Sequence, residues 1–232
     1  VELGTNLIQE TDVDAGNREV EGDLYQLDVL TKALEVQKPA WEPGTTPCYH
    51  SFTHGPLCQE LLLRCTGKTL GQYFKEDLLG PHGIEFCLGM TNDEVARCAD
   101  IIISDGVPTL DNVNNADTLL AQAWNPLPDS ENIFEDTRYR INEFGSGNGH
   151  SNARHLAKLY GMLSQLNNKI LSRTCLEDAI KEQWNDVETL THRHFRYSSG
   201  FMLNNPYFRI GNNPRSFGHP GLGGANAFAD PD

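Results

Sequence analysis

The 232-residue sequence lacks several patterns that would mark particular classes of protein. Its six cysteines include no C-x-x-C pair, the spacing typical of structural zinc sites and dithiol redox centres. No run of about eighteen apolar residues is present, which predicts that no helix spans a membrane. The first residues carry neither the basic nor the apolar segment of a signal peptide, and no Asn-x-Ser/Thr acceptor occurs. These absences leave the cellular location open.

Basic residues are also scarce relative to acidic ones. Eighteen Lys and Arg stand against thirty-two Asp and Glu, which gives a formal net charge of −14. Such a charge repels polyphosphate, so we expect no nucleic-acid partner. Because 38% of the residues are hydrophobic, the chain can bury a sizeable core, and we expect a globular protein.

Helical signals fill most of the chain. Hydrophobic periodicity and capping residues predict helices over residues 23–37, 57–66, 70–79, 92–99, 116–124, 151–166 and 174–184. Pro56 and Gly67 bracket the second of these helices, and Leu57, Leu61 and Cys65 are expected to form its buried face. Its cysteines are therefore expected to be buried free thiols.

Three of the predicted helix starts depend on local side-chain caps. Thr69 and Gln72 fit a capping box, in which each side chain accepts from the backbone of the other residue. Ser151 fits a simple N-cap. Thr174 and Glu177 fit a second capping box.

Strand signals are confined to the end of the chain. Beyond His192 the hydrophobic period shifts towards two, and glycines crowd the last thirty or so residues. Helices first and strands last are typical of an α+β fold rather than of alternating βαβ units. We therefore predict a mainly helical region over residues 1–190 and strands of an antiparallel sheet over residues 191–232.

A tyrosine stands at the entrance of the second helix, in the run Pro47-Cys48-Tyr49-His50-Ser51-Phe52-Thr53-His54-Gly55. A phenol can act as a general base only when nearby cations lower its pKa from about 10, and a histidine or lysine opposite would supply that charge. Taken alone, Tyr49 is better explained as a half-buried aromatic side chain that packs and makes one hydrogen bond.

A glycine-dense basic turn near the end of the chain offers such a cation. It reads Phe217-Gly218-His219-Pro220-Gly221-Leu222-Gly223-Gly224. Because glycines flank His219, the backbone there can approach a ligand closely, and the amides after Gly221 can point at a developing oxyanion. The alternative is a turn histidine in a glycine-rich hairpin. We predict that Tyr49 and His219 line a common cleft.

These segments resemble those of the β-lactamase-related serine hydrolases, the class C β-lactamases and their esterase relatives. The resemblance runs through Pro39 to Thr45, Tyr49-His50-Ser51, Thr53 to Leu57, Glu60 to Gly71 and Phe217 to Pro231. It spans roughly residues 20–232 and is weakest between 91 and 145. It implies an α+β fold of the β-lactamase/transpeptidase type, mostly the helical region plus part of the antiparallel sheet, as one domain that is incomplete at both ends.

The chemistry implied by the resemblance is acylation of a serine by an ester or amide, followed by attack of water or another acceptor. Tyr49 matches the tyrosine that shuttles protons between nucleophile and leaving group, and His219 matches a lysine, a change found in esterase-like members. Ser51 falls where β-lactamases have a substrate-contacting asparagine, which favours esters over lactams. Leu222 matches the position whose N–H forms half of the oxyanion hole, and Gly221 stands beside it in the same substrate-binding turn.

The nucleophile of that chemistry is absent from the sequence. No Ser-x-x-Lys occurs, the pairing in which a lysine activates a serine one helical turn away. We expect the nucleophile to be encoded ahead of residue 1, or to come from another chain or segment. The chain would then be part of an esterase or β-lactamase-like hydrolase with a small ester or amide substrate and no cofactor. The alternative is a non-catalytic protein of the same fold with a scaffold or binding role.

Two weaker signals favour structural explanations. His192 and His194 would share a strand face as a metal-binding pair, but no third ligand is nearby, so a solvated edge is favoured and no metal site is predicted. Residues 145–149 read Gly-Ser-Gly-Asn-Gly before a helix, but they follow no strand and the net charge opposes phosphate binding. A flexible loop is favoured there.

Overall fold

The computed structural model describes residues 25–102, 123, 136–165, 169–221 and 224–231, and every structural statement below concerns these residues. The chain divides into two compact units. The first unit comprises Val1–Phe74 with Cys87–His150, and the second comprises Lys75–Phe86 with Ser151–Asp232. Each unit is therefore formed by two separate stretches of the chain.

The first unit is helical where it is described. Its α-helices are α1 (Leu27–Val36), α2 (His54–Thr66), α3 (Leu70–Tyr73), α4 (Asn92–Val95) and α5 (Thr137–Ile141). Helix α1 buries Leu30 and Leu34, as their helical spacing predicts. The aromatic core of this unit comprises the buried Tyr139 and Phe144 with the partly buried Tyr25 and Phe52.

Helix α2 carries clear signals at both ends. It begins at His54 rather than at residue 57, and Pro56 lies in its first turn, where a missing N–H costs least. It ends at Thr66, as predicted. Gly67 then forms the left-handed C-cap with a φ of 72°, a conformation that glycine adopts without strain.

The buried face of α2 differs from the predicted one. It consists of Gly55, Pro56 and Gln59, whereas Leu61 is 65% exposed. Both cysteines of the helix are exposed free thiols, so the prediction of buried cysteines was wrong. The helix packs against the backbone of residues 143–146, and this contact requires close approach and hydrogen-bonding partners rather than apolar bulk.

Helix α3 opens with the predicted capping box, which is confirmed. The Thr69 hydroxyl accepts from the Gln72 N–H, and the Gln72 side chain accepts from the Thr69 N–H. The helix predicted over residues 70–79 then continues as a π-helix, Phe74–Leu78, and a 3-10 turn, Gly80–His82. The cap fixes where the helix begins, but the hydrophobic period does not distinguish α from π geometry.

The second unit combines helices with a sheet. Its α-helices are α6 (Ala153–Leu163) and α7 (Arg173–Ala179). Its strands are β1 (Glu182–Val187), β2 (His194–Ser198), β3 (Met202–Leu203), β4 (Phe217–Pro220) and β5 (Asn226–Ala229). Strands that follow one another in the chain pair antiparallel, in the order β1-β2-β3-β4-β5.

The core of the second unit fixes the position of β4. It is formed by Leu163 of α6, Leu176 of α7, Leu203 of β3, Phe217 of β4 and Ala229 of β5. Since Leu203, Phe217 and Ala229 are register partners, they project from the same face of the sheet. Phe217 is completely buried, at 0% exposure, so the start of β4 is anchored in this core.

Two helix starts differ from the predicted ones by a residue or two. The N-cap of α6 is Asn152, whose side chain accepts a first-turn N–H, while Ser151 donates to the Glu85 carbonyl at 2.6 Å. The N-cap of α7 is Ser172 rather than Thr174. In each case two good capping residues stand close together, and local sequence does not decide between them.

The sheet begins earlier in the chain than predicted. The helix predicted over residues 174–184 ends at Ala179, and Trp184 lies in β1. Antiparallel pairing of β1 with β2 overrides the helical pattern there, because tertiary pairing outweighs local propensity. Strand β1 thus falls within the region 1–190 that was predicted to be mainly helical, and the division at residue 190 stays a prediction.

Two further predicted helices lie next to or within residues that the structure does not describe. Helix α4 is shorter than the predicted 92–99, and it opens with a capping box of Thr91 and Glu94. The helix predicted over residues 116–124 lies outside the described residues apart from Ala123. In the parts of the chain that the structure describes, no helix is long and apolar enough to cross a bilayer.

Candidate active site

The segment that carries Tyr49 leads directly into α2. Tyr49 and Ser51 are both half-buried, and a turn over residues 51–53 connects them to the helix. The His50 Nδ1 atom and the Thr53 hydroxyl lie 2.6 Å apart. Thr53 occupies the N-cap position, yet its side chain makes no cap hydrogen bond. Its hydroxyl is engaged with His50 instead, so the cap of α2 comes from elsewhere in the chain.

Ser146 supplies the missing cap. Its hydroxyl accepts from the Gly55 N–H at 2.7 Å and donates to the Phe52 carbonyl at 2.8 Å. Gln59 of α2 reaches the same loop, where its Oε1 atom accepts from the Gly145 N–H at 2.7 Å. The sequence analysis missed this contact, because a serine between glycines carries no local signal of a partner some ninety residues away.

The loop of residues 145–149 is held by side-chain hydrogen bonds, so the prediction of a flexible loop was wrong. Asn148 is only 1% exposed. Its Oδ1 atom accepts from the Phe144 N–H at 2.9 Å, and its Nδ2 atom donates to the carbonyls of Tyr139 and Asn142. Both amide protons and the side-chain carbonyl are thus used within the loop and the helix before it.

Burial raises the pKa of the Tyr49 phenol above its usual value near 10. This direction is opposite to the one that a general base needs. The phenol is therefore neutral at ordinary pH, and a positive charge placed against it is required before it can accept a proton near neutrality.

Ser51 offers a hydrogen-bonding group beside Tyr49 in the sequence. Its Oγ atom is buried and has no hydrogen-bond partner among the described residues. Buried hydroxyls nearly always have a partner. An unsatisfied one in this segment is therefore a group that a bound molecule can engage.

His219 lies on β4 of the second unit, in register with Ala227 of β5. It is exposed, and its Nδ1 atom lies 2.6 Å from the Pro220 carbonyl oxygen, a contact in which Nδ1 donates. It projects from the same face of the sheet as Phe217, two positions further along the strand. The His219 imidazole thus lies at the surface, where β4 emerges from the hydrophobic core of the second unit.

Gly218 has a different role from the predicted one. A Cβ at this position would overlap the Ala227 carbonyl oxygen and lie 2.6 Å from the Phe228 Cα. The glycine is therefore required by the close approach of β5. At Gly221, by contrast, a Cβ would make an ordinary contact at 3.4 Å. The Gly221 N–H donates to the Ala225 carbonyl at 2.6 Å.

Leu222 lies outside the described residues, so its part in an oxyanion hole stays a prediction. The other candidates fall into two sets. Tyr49 and Ser51 belong to the first unit, and His219 and Gly221 belong to the second. That these sets line a common cleft stays a prediction.

The two histidines considered as a metal pair occupy different local structures. His192 precedes β2 with a φ of 54°, and His194 is the first residue of β2. The ring of His194 packs against Tyr207, with centroids 4.6 Å apart. Where the chain is described, no group of three His, Cys, Asp or Glu side chains is placed to hold a metal ion.

The fold, helices with an antiparallel sheet, is that of the β-lactamases and penicillin-binding proteins. A penicillin-binding protein homolog from Caulobacter crescentus matches with a TM-score of 0.80 and 27% identity, over 99% of this chain and 60% of that one. A family VIII carboxylesterase matches with a TM-score of 0.77 and 31% identity, over 91% of this chain and 56% of that one. The predicted fold class is confirmed.

The sequence comparison identifies the family. The sequence model of the beta-lactamase family matches residues 11–232. The chain therefore belongs to this family, and the resemblance seen in its motifs is confirmed. The esterase/beta-lactamase LipL of Mycobacterium tuberculosis is 27% identical over an alignment of 223 residues, which covers 90% of this chain and 51% of LipL. The chain thus spans about half the length of the curated relative that it matches.

Proposed function

We propose that this chain is the part of a serine-dependent acyl hydrolase that supplies the proton-transferring tyrosine and the substrate-binding turn. The observation that carries the proposal is the family match over residues 11–232, which includes both the Tyr49 segment and the His219 strand. The similarity to LipL and to a carboxylesterase favours a small ester as substrate. The nucleophile comes from sequence outside this chain, or from another chain.

Tyr49 transfers protons in this proposal. The serine hydroxyl attacks the ester carbonyl, its proton passes through Tyr49 to the departing alcohol, and the bond from carbonyl carbon to that alcohol breaks. Water then attacks the acyl-serine ester, the acyl group leaves as the acid, and a proton from the water returns to the serine oxygen. Because burial raises the pKa of Tyr49, the phenol needs a positive neighbour, which is His219 or the lysine of the Ser-x-x-Lys pair.

The remaining candidates bind the substrate. Ser51 donates its hydroxyl proton to the ester, since that hydroxyl has no partner among the described residues. The backbone N–H groups of Leu222 and of the nucleophilic serine stabilise the negative charge that develops on the carbonyl oxygen, while the Gly221 N–H donates to the Ala225 carbonyl and holds the turn. Each donor to the carbonyl oxygen is worth about 3 kcal/mol of transition-state stabilisation.

The test uses the complete product of the gene that encodes this chain. We expect it to be labelled by a fluorophosphonate, which modifies activated serines, and to hydrolyse a p-nitrophenyl ester. Tyr49→Phe should lower the rates of labelling and of hydrolysis by about 10²- to 10⁴-fold, because the proton transfer is lost. Tyr207→Phe is the matched control, because Tyr207 is 75% exposed and should leave both rates unchanged.

Two outcomes would count against this proposal. Labelling and hydrolysis that proceed at the same rate in Tyr49→Phe would remove Tyr49 from the mechanism. A complete product that is folded, but is neither labelled nor active on esters, would instead support a non-catalytic protein with a scaffold or binding role.

A further inference from the structure

We propose that Ser146 is a positioning residue for acyl transfer, whose hydroxyl fixes the turn that carries Ser51 and follows Tyr49. The inference rests on the function proposed above. It gives a role to a loop that is distant from α2 in sequence and that the sequence alone predicts to be flexible.

The first turn of α2 lacks a side-chain cap of its own. Pro56 has no N–H, and the Leu57 N–H donates to the Thr53 carbonyl at 3.2 Å. The Gly55 N–H would normally donate a hydrogen bond to the side chain of the N-cap residue. Here it donates to the Ser146 hydroxyl instead. Ser146 therefore performs the N-cap function for a helix that lies 91 residues earlier in the chain.

The same hydroxyl also acts as a donor. Its proton goes to the Phe52 carbonyl at 2.8 Å. One oxygen atom thus joins the turn before α2 to the first turn of the helix, and an alanine at position 146 would lose both bonds. The Phe52 ring also stacks on Phe144, with centroids 6.3 Å apart, so the turn is held by packing as well as by hydrogen bonds.

The loop is held in direct contact with the helix. A Cβ on Gly55 would overlap the Ser146 backbone and lie 2.6 Å from the Ser146 Oγ atom. The Gln59 side chain binds the backbone just before Ser146. It accepts from the Gly145 N–H and donates to the Glu143 carbonyl at 3.2 Å. Small displacements of the loop therefore move the turn with it.

The Ser51 hydroxyl takes no part in this network. Its backbone is fixed on the following residue, while its Oγ atom is buried without a partner among the described residues. A fixed backbone that carries an unsatisfied polar group is what a preorganised substrate contact requires. A displacement of about 1 Å at such a group can cost about 10²-fold in rate.

The experiment compares three serine variants of the complete gene product, using hydrolysis of a p-nitrophenyl ester. Ser146→Ala should lower kcat by roughly ten- to a hundredfold with little change in KM, because the site is displaced rather than emptied. Ser146→Cys retains a weak donor and acceptor and should fall between Ser146→Ala and the parent. Ser151→Ala is the matched control, because it removes a hydroxyl that donates to the Glu85 carbonyl at 2.6 Å in the second unit.

A second readout needs no turnover. In protein labelled with ¹³C-tyrosine, the Tyr49 resonance is assigned from Tyr49→Phe, and its titration is followed by NMR. Ser146→Ala should move the Tyr49 titration midpoint down towards its ordinary value, because a loosened turn admits water, and Ser151→Ala should leave the midpoint unchanged. This readout tests the positioning role even if no variant and no parent protein hydrolyses esters.

The outcomes separate the two proposals. An inactive parent with a Tyr49 titration that responds to Ser146→Ala would overturn the proposed reaction and support the positioning of Tyr49. An active parent in which Ser146→Ala matches Ser151→Ala in both kcat and Tyr49 titration would overturn the role of Ser146. If Ser146→Ala fails to fold, the same comparison is made with Ser146→Cys.

Discussion

The Tyr49 segment and the His219 strand are held by different kinds of contact. Tyr49 precedes a turn that is fixed by side-chain hydrogen bonds to a loop more than ninety residues away. His219 lies on a strand that is fixed by backbone pairing on both sides and by the buried Phe217 ring. The position of Tyr49 should therefore respond to single polar substitutions, whereas that of His219 should respond to changes in core volume and in strand approach.

The largest expected effects come from adding one methyl group where backbones approach most closely in each region. Gly218→Ala would force a Cβ into the backbone of β5, and Gly55→Ala would force one into the backbone of Ser146. Because backbone atoms cannot rotate away, we expect each change to lower the free energy of unfolding by about 2–3 kcal/mol. Urea unfolding measures this loss.

A third glycine provides the control for these two substitutions. Gly161 lies within α6, and apart from its chain neighbours and the backbone of its own helix, no atom lies within 4 Å of a Cβ placed there. Gly161→Ala should raise the free energy of unfolding by about 0.5–1 kcal/mol, because alanine favours the helix and restricts the unfolded chain. If Gly55→Ala or Gly218→Ala behaved like Gly161→Ala, the close approach described for that region would be wrong.

A smaller effect is expected in the pH dependence of stability, which should differ between the two units. Burial lowers the pKa of the His150 imidazole; the hydrogen bond to the Asn148 carbonyl opposes this effect, and the positive charge of Arg140 adds to it. The folded state favours the neutral ring, so its stabilising contribution is present above the ordinary pKa near 6.5 and is lost as pH falls below it. In the second unit, burial raises the pKa of Tyr160, which affects stability only above about pH 10.

Hydrogen exchange can measure this difference. Between pH 7.5 and 5.5, amide protection in α2 and in residues 144–150 should fall relative to protection in β4 and β5. Burial also lowers the pKa of His54 at the start of α2, so His150→Gln alone should reduce the difference and the double variant His54→Gln, His150→Gln should abolish it. Equal changes of protection in both units of the parent protein would contradict the assignment.

The sequence predicted those features that are encoded by neighbouring residues. The capping box of Thr69 and Gln72 and the glycine that ends α2 at Gly67 are local signals, and both were found. The family also follows from sequence, because the Tyr49 segment and the His219 turn occur as separate motifs in the order typical of the family, and the family match covers both. The Asn152 and Ser172 caps were missed, since another residue that can cap a helix, Ser151 or Thr174, lies within two positions of each.

The features that escaped prediction depend on contacts between distant residues. Hydrophobic periodicity predicted that Leu61 lies on the buried face of α2. The helix packs on a polar loop instead, so that Gln59 is buried and Leu61 is exposed. Gly218 was assigned to ligand approach, whereas its partner is the backbone of β5. Ser146 and Asn148 looked like parts of a flexible loop because glycines surround them. In each case the partner that decides the role is identified only by the folded structure.

The most direct test of the central claim is a crystal structure of the complete gene product carrying a fluorophosphonate adduct. We predict that the adduct lies on the serine of a Ser-x-x-Lys pair, with the Tyr49 hydroxyl at hydrogen-bonding distance, about 3 Å, from the serine Oγ or the leaving-group position. The His219 imidazole should line the same cleft. An adduct with Tyr49 and His219 on opposite sides of the molecule would contradict the proposed site.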